Sequence, residues 1–131
     1  MLGQRFAVGA LAAIVISLSA TIGEAEELHA ITCIKNKTDA LISFEIKYGS
    51  KGFSPNFLAA GYETSFYQLA RDAEPMMIRY DADLNPGAAH RVTQTYVLKA
   101  RNASGKSCAL GHIYEFEIDK ATTLLRLYDD R

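Results

Sequence analysis

Ala40-Leu-Ile-Ser-Phe-Glu-Ile-Lys-Tyr48 alternates apolar and polar residues: Ile42, Phe44, Ile46 and Tyr48 fall on one side of an extended chain, Ser43, Glu45 and Lys47 on the other. A period of two is that of a half-buried antiparallel strand, with the first set facing a core and the second facing water. A one-residue slip would reverse every assignment, so the pattern also sets the register. Upstream, Leu28 to Lys35 is a second extended run, joined through Asn36-Lys-Thr-Asp39, a turn of residues whose side chains bond their own backbone. Downstream, Gly49-Ser-Lys-Gly52 and Pro55-Asn56 read as a loop, and Phe57 to Ala60 as a short extended piece turning at Gly61.

The same reading continues along the chain. Tyr62 to Leu69 sets Tyr62, Thr64 and Phe66 against Glu63, Ser65 and Tyr67, and Met76 to Tyr80 follows a polar loop. Asp81-Ala-Asp-Leu-Asn-Pro-Gly87 is the strongest turn signal. His90 to Ala100 and Ser107 to Ile118 are longer strands separated by Asn102-Ala-Ser-Gly105, with Glu115 and Glu117 on an exposed face, and Thr123 to Tyr128 closes the chain. About seven or eight short strands without a helical period predict a single antiparallel β-sandwich, with a small barrel as the alternative.

The first residues predict a different fate. A single positive charge at Arg5, an apolar run from Phe6 to about Leu18 and the small-residue end Gly23-Glu-Ala25 have the form of a secretory signal peptide, cut before Glu26. The run is short for a bilayer span, which takes about 20 apolar residues; an uncleaved anchor is the alternative. Residues 1–25 are therefore read as signal peptide and residues 26–131 as one β-sandwich domain, periplasmic or secreted. No cysteine stands at the cut to carry a lipid.

Export gives the two cysteines, Cys33 and Cys108, a partner in each other. Their bond would close a loop of roughly 76 residues, for which chain entropy gives on the order of 4 kcal/mol. Charge excludes one function class: 14 basic and 15 acidic residues without a basic cluster leave no footprint for nucleic acid. Catalysis lacks a constellation too, with no Gly-x-Ser-x-Gly elbow, no free cysteine expected and no carboxylate pair beyond Glu115 and Glu117. No cofactor is called for.

Candidate sites are few. Asp81, Asp83 and Asn85 place oxygen side chains at alternate positions, as calcium loops do, although Pro86 and Val92 stand where such a loop wants Gly and Glu; the same residues also make an ordinary turn. His29, His90 and His112 with Met76 and Met77 allow a copper site in an exported protein. Phe53 and Phe57 flank the Gly/Pro loop, where an aromatic is either a lid on the sandwich or a binding contact. Asn36-Lys-Thr38 and Asn102-Ala-Ser104 match the glycosylation sequon and fall in predicted turns.

The order Asn36-Lys-Thr38, Tyr48-Gly49, Leu58-Ala-Ala-Gly61, Ile78-Arg-Tyr-Asp81 and Tyr96-Val-Leu98 resembles that of small exported bacterial β-sandwich proteins of unassigned function. The resemblance implies the fold and the compartment and brings no site residue with it. On these grounds the expected function is a non-enzymatic binding or interaction module, meeting a protein or surface ligand through a loop end or sheet edge, with no stable membrane insertion after cleavage. The alternative is a metal-binding protein, through calcium at Asp81–Gly87 or copper at the His and Met residues.

Overall fold

Residues 27–85 and 92–130 are described in the computed structural model, so the stretch read as a signal peptide, His90 and the Pro86-Gly87 end of the acidic turn lie outside the described residues. Nine strands run through them: β1 His29–Asn36, β2 Ile42–Tyr48, β3 Ser54–Leu58, β4 Glu63–Leu69, β5 Met76–Asp81, β6 Thr93–Leu98, β7 Arg101–Ala103, β8 His112–Ile118 and β9 Leu125–Asp129. They form two sheets packed as a β-sandwich. The first has the order β4-β1-β8-β9, with β7 beside the start of β1, and the second the order β3-β2-β5-β6. All pairings are antiparallel except β1 with β8.

The alternation of β2 holds: Ile42, Phe44 and Ile46 are buried and Tyr48 half-buried, while Ser43 is exposed and Glu45 and Lys47 are partly so. They meet Met76, Ile78 and Tyr80 of β5, with Ile34, Tyr114, Phe116 and Leu125 from the other sheet completing the core. Phe116 anchors it, with its ring centre 5.6 Å from Phe44 and 5.1 Å from Tyr80. Stacked and edge-on aromatic contacts at such distances add to what burial alone contributes.

Cys33 and Cys108 are bonded, with Cα atoms 5.0 Å apart. Cys33 lies on β1 as expected, but Cys108 sits on a 3-10 turn, Cys108–Leu110, rather than on a strand. The turn lies over the outer side of β1, and Gly111 allows the approach: a Cβ there would come within 2.7 Å of the Ile31 side chain and 3.1 Å of its carbonyl oxygen. Ile31 and Cys33 are thereby fully buried on the face away from the main core.

Three further expectations are corrected. β3 begins at Ser54 and takes in Pro55, where a loop was expected up to Phe57; an edge strand tolerates proline because one side of it has no ladder to complete. Glu115 is buried, not exposed, because β8 is an interior strand with Lys35 and Tyr128 as its lateral neighbours. Its carboxylate accepts the Lys37 ammonium at 2.9 Å, and that hydrogen bond raises the Lys37 pKa. Asn36, placed in an accessible turn by the sequence, ends β1 with 1% exposure.

Its side chain is fully used. Nδ2 donates to the carbonyls of Ala40 (2.8 Å) and Leu58 (2.9 Å), while Oδ1 accepts from the N–H (2.9 Å) and hydroxyl (2.7 Å) of Thr38. A glycan on Nδ2 is incompatible with this arrangement, whereas Asn102 on β7 is exposed.

Hydroxyl groups satisfy backbone where strands change sheets. At the crossing from β6 to β7, the Lys99 N–H donates to the Tyr114 hydroxyl and the Lys99 carbonyl accepts from the Thr32 hydroxyl, both at 2.8 Å. On β9, the Leu127 N–H donates to the Tyr80 hydroxyl at 3.1 Å and the Leu125 N–H to the Ala82 carbonyl at 2.8 Å. Burial raises both tyrosine pKa values above the ordinary phenol value.

Two outcomes follow from these ties. Asn36→Ala leaves the Ala40 and Leu58 carbonyls without their donor and is expected to cost about 3 kcal/mol in urea unfolding, against about 1 kcal/mol for Thr38→Ala; equal costs would refute the central role of the amide. Tyr80 and Tyr114 hold their protons to higher pH in the folded than in the unfolded chain, so their contribution is whole below about pH 10 and is lost as pH rises past it. Ultraviolet titration of phenolate should show these two ionising together with unfolding, and free titration of every tyrosine in the folded protein would contradict this.

Candidate functional site

Strand register decides which side chains share the outward face of the β3-β2-β5-β6 sheet. Pro55 lies opposite Glu45, Glu45 opposite Arg79 and Arg79 opposite Thr95, which makes one row across the sheet. Lys47, Met77 and Val97 make the next row, and Ser43 lies opposite Phe57 on the far side. Phe53, one residue before β3, has the parity of Pro55 and Phe57 and so comes to this same face.

The two aromatic candidates thus share a face, in different states. Phe57 is 67% exposed. Phe53 is half-buried beneath cations: the Arg79 guanidinium carbon lies 3.9 Å from its ring centre and the Lys47 ammonium 5.6 Å. Arg79 is steered there by Glu45, whose Oε1 accepts from the arginine Nε at 3.0 Å. Cation–aromatic contacts at partly exposed sites contribute about 0.5–1 kcal/mol each, enough to hold the Gly49–Phe53 loop against the sheet. Beside Arg79 a shallow open depression is lined by Ser43, Glu45, Asp81 and Thr93. An apolar ring, a stacked cation and scattered carboxylates can recognise a surface; they supply no nucleophile with its base.

Asp81, Asp83 and Asn85 are placed differently from a cation loop. Oδ1 of Asp81 accepts from the N–H groups of Asp83 and Val92, each at 3.0 Å, and Oδ1 of Asp83 accepts from the Asn85 N–H at 2.9 Å. These are side chains stabilising a turn, as such residues commonly do. The copper candidates are dispersed: Met76 packs in the core, His29 stacks edge-on to Tyr67 at 5.8 Å, and His112 Nε2 lies 2.6 Å from Asp129 Oδ1. Among the described residues, the group of metal-capable side chains that does converge is Cys33, Glu63 and Cys108, and its sulfurs are consumed in the disulfide. A partly open gap of about 70 Å³ lined by Ala30, Thr32, Tyr67, Glu74, Met76 and Leu98 has room for a few waters and none for a substrate.

The part that Arg79, Glu45, Lys47 and Val97 play in this site is not marked in the sequence, where Glu45 and Lys47 read only as water-facing. Each stands at an outward position of an alternating strand, but the pairing of β2 with β5, which stacks Arg79 on Phe53, joins residues 34 apart and leaves no local signal. No helix among the described residues is long and apolar enough to cross a membrane. Comparison with known proteins adds nothing to this geometry: no family model, curated protein or solved structure matches the chain.

Proposed function

We propose that the protein is an exported, non-enzymatic interaction module that meets a protein or surface ligand with the outward face of the β3-β2-β5-β6 sheet. The observation that carries this reading is the placement of Phe53 and Phe57 on one face, the first held by Arg79 and the second open to solvent. An anchored aromatic beside an exposed one, with charges around them, is the usual composition of a recognition surface. Export is supported by the form of residues 1–25 and by a disulfide of the kind that persists in oxidising compartments. The rival reading, a cation at Asp81, Asp83 and Asn85, has less in its favour because Oδ1 of both aspartates is turned onto backbone amides.

Photo-crosslinking from position Ser43, beside Phe57, in the compartment that receives the protein tests the first reading. Phe57→Ala is expected to abolish the crosslinked product while changing stability by less than about 0.5 kcal/mol, and Phe53→Ala to weaken it at a cost of about 1 kcal/mol. Undiminished crosslinking in both variants would end the assignment. For the rival, excess calcium or a chelator should leave the melting temperature within about 1 °C; a rise of several degrees with calcium would restore it.

A further inference from the structure

Apart from the three-residue β7, which pairs only with β1, the two sheets have four outer strands, and three of them carry a device against pairing with another chain. β3 has Pro55, which has no N–H to give. β4 starts at Glu63, paired with Lys35, and carries the Lys106 ammonium over Tyr67. β9 has its outward amides closed by the Tyr80 hydroxyl and the Ala82 carbonyl. β6 has none of these. Thr93-Gln-Thr-Tyr-Val-Leu98 is uncharged, free of proline and glycine, and rich in β-branched and aromatic residues, with Thr93, Thr95, Tyr96 and Val97 exposed. Sheet proteins guard such edges with charge, proline or cover, and an unguarded one accepts a strand.

The direction of its free groups follows from the ladder. Gly49 N–H donates to the Pro75 carbonyl and Ala82 N–H to the Val92 carbonyl, both at 2.8 Å, and these bonds continue the β2–β5 and β5–β6 ladders. In an antiparallel pair hydrogen-bonded and non-hydrogen-bonded positions alternate. The even residues of β6 therefore bond β5, and the N–H and C=O groups of Thr93, Thr95 and Val97 point to the open edge. Among the described residues, no main-chain partner meets them.

We infer that β6 is a homodimer edge, on which a second copy of the chain adds its own β6 antiparallel about a two-fold axis through Thr95. Self-complementarity selects this occupant. Centred there, Thr95 exchanges both bonds with its symmetry mate and Thr93 exchanges them with Val97, giving about six main-chain hydrogen bonds. Threonine faces threonine and valine faces threonine on the outer side, Gln94 faces Tyr96 on the inner, and no like charges oppose within the strand. The joint would make one eight-stranded sheet from two four-stranded ones. It would also bring the row ending in Val97 on one copy into line with the Thr93 row on the other, so that two aromatic faces become one surface. This dimer does not depend on what that surface binds.

Sedimentation equilibrium of the oxidised protein from about 10 µM to about 1 mM, a range suited to an edge smaller than a standard interface, should show mass rising from one chain to two. Amide exchange at Thr95 should slow with concentration. Thr95→Lys places two ammonium groups on the axis and Thr95→Pro removes an amide that the monomer does not use; each is expected to weaken association at least tenfold, with circular dichroism unchanged. Ser54→Lys on β3 should have no effect. A monomer throughout, association that survives both variants, or growth beyond the dimer overturns the inference.

Discussion

The side chain of Asn36 is the constraint on which the rest of the fold depends. Its amide group meets the chain entering β2 through Ala40, the end of β3 through Leu58 and the turn between β1 and β2 through Thr38, so one residue of the first sheet sets two strands of the second. Its main chain is equally committed, donating to Tyr62 and accepting from Gly61 as β4 begins. A buried amide of this kind is costly unless every donor and acceptor is met. Here they are met by the Thr38–Ala40 turn and by Leu58 at the end of β3, and misplacement of either leaves the amide partly unsatisfied. The position of Phe57 is a direct result, because the Leu58 carbonyl next to it is held from inside.

Elsewhere the two sheets are joined by side-chain hydroxyls in place of a continuous ladder. Thr32 and Tyr114 reach main chain at Lys99 that has just left β6, and Tyr80 reaches the outer side of β9 at Leu127. Each keeps its ring or methyl in the apolar interior while its oxygen serves the backbone, so burial and hydrogen bonding are obtained from the same residue. The β9 side of the sandwich is closed in this way, and the β6 side lacks an equivalent closure.

Much of the fold was legible because period-two alternation is local: β2 and β5 show it plainly, and with few cysteines the disulfide had one pairing. What escaped reading depends on neighbours. Glu115 looks like a solvent-facing residue until β1 and β9 are seen on either side of it, and Pro55 looks like a loop until β3 is known to be an edge. Asn36 has the residue type and spacing of a turn, and nothing local distinguishes a turn amide from one buried under three strands. At the site, Phe53 and Phe57 stood out as aromatics beside glycine and proline, and their common face follows once the chain between them is extended, but the Arg79 stack comes from register between distant strands.

The Cys33–Cys108 bond divides the chain in a way that matters under tension. Its ring encloses β2 through β7, including the whole β3-β2-β5-β6 sheet, while β8, β9 and the start of β1 lie outside. A pull applied before β1 and after β9 would pass from Cys33 through the sulfurs to Cys108 and on into β8. The enclosed sheet would bear no load, so a tethered molecule could fray at both ends while the face bearing Phe53 and Phe57 kept its shape. Likewise, a single protease cut in the Gly49–Phe53 loop would open the ring without releasing a fragment.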